Sequence, residues 1–407
     1  MVSVPSVLKM KKLAINGGTP VRRRPFPKWP IYDRLEQSAI QEVLKSRRWG
    51  CLDGNKVSEF ENKFAKYQGA KFGICTVNGT ASLRVALQAL NVGAVDEVII
   101  PAYTFVATAS AILDVNAIPV FVDINENTYN IEPDKIEEAI TERTKAIIPV
   151  HFAGMPSDMD RIMEIATKHN LFITEDAAQA HGAEWKGRKV GAIGDIGCFS
   201  FQSSKNVTCG EGGILLCDDE ELAKRCRAIV NHGRREHAPW YMHYELGSNY
   251  RMTEFQAAIL IAQLTRLDEQ NKTRNDNGKY LTERLNKIEG IEPLNRDEHV
   301  TVHAYHLYIF KYDKKLFANA SREQFVKALN AEGIPATTGY AMPLYRQPAF
   351  ETISFGKYNY SSLHLPVSEA ACKQSVWLPQ NLLLGSKADM DDIVEAIEKI
   401  KLNAKEL

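Results

Sequence analysis

Short runs of apolar residues recur along the first half of the chain, and stretches with helical spacing separate them. The runs are continuous rather than alternating, as expected of strands in a sheet that is covered on both faces. They lie at 73–77 (GICTV), 97–101 (EVIIP), 118–124 (IPVFVDI), 144–152 (TKAIIPVHF) and 171–178 (LFITEDAA). Between them, stretches such as 81–90 (ASLRVALQAL) place leucines on one side of a helix. This alternation predicts an α/β fold.

The pattern changes near residue 253. The pattern of residues 253–288 predicts one long helix that leaves the N-terminal α/β region. Phe255, Ile259 and Ala262 lie at helical spacing in it, and the stretch then becomes strongly charged. A strand, a helix and a terminal amphipathic helix are then predicted at 303–312, 321–333 and 388–402. We therefore predict three parts: an N-terminal arm (1–40), a large domain (41–265) and a smaller α+β domain (266–407).

Charge and cysteine content restrict the partners and the compartment. The 50 basic residues balance the 50 acidic ones, so no overall field attracts nucleic acid or an anionic membrane. The seven cysteines contain no C-x-x-C pair and are an odd number, which favours reduced thiols.

No apolar run approaches the roughly 18 residues of a spanning helix, and residues 1–12 lack the apolar segment of a signal peptide. We predict a cytoplasmic protein with a small-molecule partner, no nucleic acid and no membrane.

Three features follow predicted strands of the large domain, where ligands of open α/β sheets bind. The turn NGTAS (78–82) leads into a helix, and the amides of a helix N-terminus can bind phosphate. Asp176 ends the run LFITED, and Lys205 lies in FSFQSSKNVTCGEGG (199–213). Each alone is ordinary: a capped turn, a surface acid, a solvated lysine. Together they supply an anion site, a carboxylate and an amine, the groups that pyridoxal phosphate requires.

The chain resembles the DegT/StrS family of sugar and cyclitol aminotransferases, pyridoxal-phosphate enzymes with the aspartate aminotransferase fold (fold type I). The motifs that carry the resemblance include NGTASLRVALQAL, DEVIIPAYTFVATASAILDVNAIPVFVDI, EDAAQAHGA, SFQSSKNVTCGEGG and GSNYRMTEFQAAILIAQLTRLDEQ, in that order. They extend over nearly the whole chain. The resemblance implies a mainly parallel central sheet, pyridoxal 5′-phosphate as cofactor and a homodimer.

The resemblance also implies the catalytic roles. Lys205 would form the Schiff base with the cofactor and shuttle a proton. Asp176 would keep the ring nitrogen protonated, and Gln179 would bond the phenolic oxygen. A related branch of the family has histidine in place of the lysine and deoxygenates sugars, so Lys205 favours transamination.

The cofactor phosphate and ring would be held by further residues. The resemblance implies that Gly79, Thr80 and Ser200 hold the phosphate and that Phe105 stacks on the ring. Asn249, in GSNYR, would reach the phosphate of the neighbouring subunit's cofactor, so that the two active sites of the dimer are shared.

The substrates implied are L-glutamate or L-glutamine as amino donor and a keto-sugar or keto-cyclitol as acceptor. The run SFQSSK and the arm FPKWPIYD are similar to those of scyllo-inosose aminotransferases and 3-amino-5-hydroxybenzoate synthases. Two alternatives stay open: a dehydratase similar to 3-amino-5-hydroxybenzoate synthase, and a non-catalytic cofactor-binding sensor or scaffold.

Other motifs give weaker signals. Residues 191–197 (GAIGDIG) lack the dinucleotide-binding spacing and are expected to form a turn. His303 and His306 have no cysteine or acid cluster to complete a metal set, so we assign no metal. His181 could face the cofactor site or be a packed structural histidine. The basic run at 22–24 could be a solvated or interface surface, or could neutralise a substrate phosphate.

Overall fold

This computed structural model describes residues 12–353, 355 and 358–407. The strands of these residues form three sheets. The predicted start of the arm, residues 1–11, lies outside the described residues. In chain order the strands are β1 (Phe72–Thr76), β2 (Glu97–Pro101), β3 (Ile118–Val122), β4 (Thr144–Ile147), β5 (Phe172–Asp176), β6 (Glu184–Trp185), β7 (Arg188–Lys189), β8 (Ile196–Ser200), β9 (Gly213–Cys217), β10 (Ile291–Pro293), β11 (Val300–Val302), β12 (Leu307–Tyr312) and β13 (Ser375–Pro379).

Helices separate most of these strands. They are α1 (Arg34–Ser46), α2 (Lys56–Gln68), α3 (Gly79–Ala89), α4 (Val106–Leu113), α5 (Pro133–Ala139), α6 (Met159–His169), α7 (Glu220–Val230), α8 (Glu254–Leu264), α9 (Leu267–Leu285), α10 (Arg322–Ala331), α11 (Pro348–Glu351), α12 (Pro366–Gln374) and α13 (Lys387–Leu402).

The central sheet has seven strands in the order β1-β9-β8-β5-β4-β2-β3. Neighbours pair in parallel from β8 to β3, and β9 is antiparallel to both β1 and β8. The predicted α/β fold with a mainly parallel sheet is therefore confirmed. Six strands of this sheet share one direction, so their carboxyl ends meet at one edge.

Both faces of the central sheet are buried, as the continuous apolar runs predict. In β2, Val98 and Ile100 pack into one apolar cluster, and Ile99 packs into another on the opposite face. All three side chains have no exposed surface. The two clusters hold the sheet between helical layers that include α2 and α6 on one side and α3, α4 and α7 on the other.

Two smaller antiparallel sheets accompany the central one, in the orders β10-β12-β13 and β11-β6-β7. The first packs with α9, α10 and α13 around a separate apolar cluster. This sheet belongs to residues 266–407, and the proposed domain boundaries stay predictions.

The predicted long helix at 253–288 is wrong as a single element, because it is interrupted between α8 and α9. The Thr265 hydroxyl donates back to the Ala262 carbonyl over 2.6 Å. The Arg266 guanidinium reaches Glu36 over 2.5 Å, in a different helix. The first contact competes with the backbone hydrogen bonds of the helix and favours an end to α8 at this point.

One further local prediction differs from the structure, the strand expected at 303–312. Residues 303–306 are irregular, and β12 begins at Leu307.

The remaining expectations concern thiols and membranes. All seven cysteines are free. No helix in the described part of the chain combines the length and the hydropathy needed to cross a membrane.

Candidate active site

A cavity of about 680 Å³ lies where strands of the central sheet end. Its wall includes the ends of β5 and β8, the turn after β1 and the loop after β8, together with Trp29 from the N-terminal arm and Trp377 from β13. The cavity brings together seven of the residues that the sequence predicts for the site: Gly79, Thr80, Phe105, Asp176, Gln179, Ser200 and Lys205. Their roles toward a cofactor stay predictions.

Lys205 lies in the loop after β8, and its ammonium group makes no hydrogen bond or ion pair with any residue that the structure describes. Burial lowers the pKa of Lys205 from the ordinary 10.5 to about 8, and the attraction of Asp176 opposes that change. A lysine with this pKa is partly uncharged near neutral pH, and the uncharged amine is the form that attacks a carbonyl carbon.

Asp176 ends β5 and is 6% exposed. Its carboxylate accepts from the Thr108 hydroxyl over 2.8 Å and from Ala178 N–H over 3.2 Å. Burial raises the pKa of Asp176, and the Thr108 hydrogen bond and the Lys205 charge act in the opposite direction. A cation placed in the cavity would therefore be favoured beside this carboxylate.

The turn between β1 and α3 presents helix N–H groups at the cavity. The Asn78 carboxamide caps α3 by accepting from Ala81 N–H over 2.8 Å. A Cβ on Gly79 would lie 2.7 Å from the Ser200 Cβ, so only glycine allows the start of α3 to approach β8 this closely. Unpaired amides at a helix N-terminus, next to the Ser200 hydroxyl, form a favourable anion site.

Gln179 has a fixed orientation. Its carboxamide oxygen accepts from Ala153 N–H over 2.7 Å, and the side chain is 8% exposed. The oxygen is thus engaged, which leaves the NH₂ group of this cavity-lining residue as the donor.

Phe105 and Asn249 lie in different surroundings. Phe105 is the N-cap of α4 and lines the cavity with 57% of its surface exposed. Asn249 is exposed, pairs with Asn231 in an isolated β-bridge and does not line this cavity. The structure therefore does not bring Asn249 to the site of its own chain.

The open question about His181 is answered by its contacts. Its ring has no exposed surface, packs within 5.6 Å of the Phe199 and Phe201 ring centres and donates from Nε2 to the Ser200 carbonyl. Burial lowers its pKa to about 3. His181 is a structural histidine, whereas His306 lines the cavity.

The basic run at 22–24 binds the C-terminal helix. Arg22 forms ion pairs of 2.6 Å with Asp389 and Asp392 of α13, and Arg24 lies 2.8 Å from Asp389. Neither arginine lines the cavity, which argues against a role in neutralising a substrate phosphate.

Residues 191–195 form the predicted turn, and Ile196 and Gly197 already belong to β8. No group of three or more potential metal ligands (His, Cys, Asp or Glu) occurs within the part of the chain that the structure describes.

Several cavity residues are absent from the site that the sequence predicts. Trp29, Tyr340, Trp377 and Gln380 come from the arm and from the C-terminal third of the chain. Gln380 directly follows β13, so the rule that pointed to Asp176, a polar residue at a strand end, could have found it.

Comparison with known proteins gives matches over nearly the whole chain. The sequence profile of the DegT/DnrJ/EryC1/StrS aminotransferase family matches residues 30–398. A provisionally named L-glutamine:3-amino-2,3-dideoxy-scyllo-inosose aminotransferase from Streptoalloteichus tenebrarius is 43% identical, with 96% of this chain and 98% of that protein covered. An L-glutamine:2-deoxy-scyllo-inosose aminotransferase from the same organism is 39% identical, with 95% and 97% covered.

Comparison with solved structures also gives matches over nearly the whole chain. The crystal structure of 3-amino-5-hydroxybenzoic acid synthase superposes with a TM-score of 0.88 at 33% identity, covering 95% of this chain and all of that one. The PLP form of a provisionally named sugar aminotransferase from Streptococcus pneumoniae gives a TM-score of 0.83 at 28% identity, covering 94% of this chain and 100% of that one. The resemblance read from the sequence motifs is confirmed.

Proposed function

This chain belongs to the DegT/DnrJ/EryC1/StrS aminotransferase family, and on that premise we propose that it transfers the amino group of L-glutamine to the keto carbon of a deoxyinosose. It is a pyridoxal-phosphate-dependent aminotransferase with the aspartate aminotransferase-like fold type I. The observation that carries the reaction type is that the Lys205 amine and the Asp176 carboxylate line one cavity.

The residues present fit the cofactor. The close approach that only a glycine at position 79 allows places the N-terminus of α3 beside Ser200, and this arrangement suits a phosphate. The buried Asp176 carboxylate, whose pKa is raised by burial, suits a cationic ring nitrogen. The NH₂ group of Gln179 suits an anionic ring oxygen. These are the contacts that hold pyridoxal phosphate in such a site.

When bound, pyridoxal phosphate supplies a carbonyl that condenses with amines and a ring that takes up an electron pair. Lys205 provides the amine and, with a pKa of about 8, can hold or release a proton at Nζ near neutral pH. Asp176 provides the negative charge, and Thr108 keeps its carboxylate in place through the 2.8 Å hydrogen bond. Trp29, Tyr340 and Trp377 form apolar parts of the wall that exclude water.

The proposed donor and acceptor are tested by absorbance. Purified holoenzyme should be yellow, L-glutamine should convert it to the pyridoxamine form, and 2-deoxy-scyllo-inosose should restore the original spectrum. No change with L-glutamine, L-glutamate or other amino donors would favour the non-catalytic scaffold. A change with donors but no recovery with keto-cyclitols would leave the reaction type intact and refute the acceptor.

A second candidate is a dehydratase similar to 3-amino-5-hydroxybenzoate synthase, which the TM-score of 0.88 favours. The two are distinguished by the product. Incubation with the ring substrate of that synthase should give an aromatic absorbance only if the second candidate is right.

We further propose a cytoplasmic homodimer with shared active sites. Its support is an exposed aromatic and aliphatic segment just before Asn249, in which Trp240, Tyr241 and Leu246 are 73%, 75% and 89% exposed. Such exposed apolar surface is typical of an interaction site. A second copy is the occupant we propose, since Asn249 would then reach the partner's cofactor phosphate. The free cysteines support the cytoplasmic location.

Mixing two inactive variants tests the shared site. Lys205→Ala lacks the amine, and Asn249→Asp should repel the phosphate dianion. In a mixed dimer one site carries both changes and the other carries neither, so activity should rise after subunit exchange. If mass spectrometry confirms exchange and activity stays at the level of the parents, Asn249 does not act across the interface.

A further inference from the structure

Arg274, on α9, is a fully buried cation with no acidic partner among the described residues. Its guanidinium donates to the Gln380 carboxamide oxygen from Nε over 3.0 Å and from Nη2 over 2.6 Å. It also donates to the Asn271 carboxamide oxygen over 3.1 Å. The acceptors within 3.1 Å are therefore neutral amides.

This arrangement differs from that of two other arginines of the chain, the buried Arg22 and the half-buried Arg266. Arg22 pairs with two aspartates, and Arg266 lies 2.5 Å from Glu36 and 2.7 Å from Asp33. An arginine in a low-dielectric interior without a counter-ion is unfavourable, and burial lowers the pKa of Arg274 to about 9. An anion bound nearby would relieve this cost.

Gln380 connects the cation to the cavity. The residue is 3% exposed, lines the cavity and accepts both Arg274 hydrogen bonds on its oxygen. These two hydrogen bonds from the guanidinium identify which atom of the carboxamide is the oxygen. The NH₂ group is therefore left as a donor. This NH₂ group has no hydrogen-bond partner within the part of the chain that the structure describes. The Arg274 charge polarises it and makes it a stronger donor toward an anion.

The positive charge of Arg274 acts on residues of the cavity wall. The pKa of His306, which lines the cavity, is lowered first by burial and further by the charges that surround it, Arg274 among them. Trp29, another wall residue, has its ring centre 5.5 Å from the Arg274 guanidinium carbon. The cation thus lies directly behind residues that a ligand would touch.

We propose that the Gln380 carboxamide N–H, backed by Arg274, is the anchor for the α-carboxylate of the amino donor. This inference rests on the proposed function. The proposed phosphate site lies elsewhere, at Gly79 of α3 and Ser200 of β8, whereas Gln380 follows β13 of the C-terminal sheet. A keto-cyclitol is neutral, so the amino acid is the substrate that brings a carboxylate to this wall.

Two partial analogues of L-glutamine test the anchor by calorimetry on the holoenzyme, without turnover. Glutaramate keeps the carboxylate and lacks the α-amine, and 4-aminobutanamide keeps the amine and lacks the α-carboxylate. In the Gln380→Glu variant, the new carboxylate should pair with Arg274 and present only hydrogen-bond acceptors to the ligand. We expect it to weaken glutaramate binding by about 30-fold or more, as expected when a buried charge-assisted hydrogen bond is lost. Binding of 4-aminobutanamide should change little.

Two further variants separate lost donors from added charge. Gln380→Met removes the N–H without adding charge and should also weaken glutaramate binding, by a smaller factor. Gln374→Glu makes the same chemical change on α12, outside the cavity, and should leave both ligands unaffected. Melting temperatures check that each variant is folded.

The anchor is overturned if wild-type holoenzyme does not bind glutaramate, or if Gln380→Met binds it as tightly as wild type. Neither result affects the spectral change with L-glutamine, which tests the proposed function itself. If that change is absent in the wild type, the proposed function fails, and the anchor fails with it.

Discussion

Two lysines in two regions of the molecule show how differently the same side chain can be used. Lys399 of α13 has a fully buried side chain, and its ammonium donates to Glu332 over 2.8 Å and to the Thr19 carbonyl over 2.9 Å. Lys205 lines the cavity and has no such partner in the described part of the chain. The first lysine joins the N-terminal arm to the C-terminal helix, and the second is left free for a ligand.

Adjacent carboxylates of β5 show the same contrast, because successive residues of a strand point to opposite faces. Glu175 accepts from the backbone N–H groups of Gly191, Ile193 and Gly194 and from His151 Nε2. Burial opposes its ionisation, but these hydrogen bonds hold its pKa below the ordinary value. Asp176 has fewer donors, and its pKa is raised. The carboxylate with the larger set of hydrogen-bond donors therefore stabilises the fold, and the carboxylate with fewer donors faces the cavity.

The largest expected effect is on catalysis. Lys205→Ala removes the amine and should lower turnover by about 1,000-fold or more. The cofactor should still bind through the phosphate site, and the melting temperature of the cofactor-free protein should not fall, because no hydrogen bond to the ammonium is lost. Steady-state rates and equilibrium dialysis of the cofactor measure both. Near-normal turnover would refute the role of Lys205.

The opposite result is expected at the other lysine. Lys399→Met leaves buried Glu332 with only backbone donors, from Ala14 and Val21, and should lower the free energy of unfolding by about 3 kcal/mol or more. Turnover per folded molecule should be retained. Lys327→Met, on the exposed face of α10, is the matched control and should change stability by no more than about 0.5 kcal/mol. Denaturant titration measures all three proteins.

The two carboxylates should also separate. Asp176→Asn removes the charge in the cavity and should slow the L-glutamine half-reaction by about 100-fold with little loss of stability. Glu175→Gln would place an amide NH₂ against backbone N–H donors and should instead cost about 1–3 kcal/mol of stability. Stopped-flow absorbance and thermal denaturation distinguish the two effects. An Asp176→Asn protein that simply unfolds would support a structural role.

A smaller effect concerns pH. Because the pKa of Lys205 is lowered from 10.5 to about 8, its uncharged form should increase with pH and reach half of its maximum near pH 8. Acylation of cofactor-free protein, followed at the Lys205 peptide by mass spectrometry, should show this midpoint. Asp176 raises the pKa of Lys205, so Asp176→Asn should shift the midpoint to lower pH. A midpoint near 10.5 would show that Lys205 is an ordinary solvated lysine.

The sequence predicts those features that depend on local pattern. The continuous apolar runs identify β2, and strand ends identify Asp176, because burial on both faces and parallel direction both leave a local signature. At the interruption between α8 and α9, Arg266 contacts the distant Glu36, and no local pattern reveals that contact.

The same limit applies to the site. Trp29 and Gln380 reach the cavity from opposite ends of the chain, so their proximity is a product of tertiary packing. Lys399 and Lys205 cannot be told apart by residue type, since the difference lies in the partners that the fold supplies.

The central claim is that the unpartnered lysine of the cavity is the one that bonds to the cofactor. Borohydride reduction of purified holoenzyme, followed by peptide mass spectrometry, tests it directly by fixing the cofactor to the lysine that holds it. We expect one pyridoxyl adduct, on the peptide that contains Lys205, and none in Lys205→Ala. An adduct on another lysine of the wild-type protein, or cofactor that stays unattached, would contradict it.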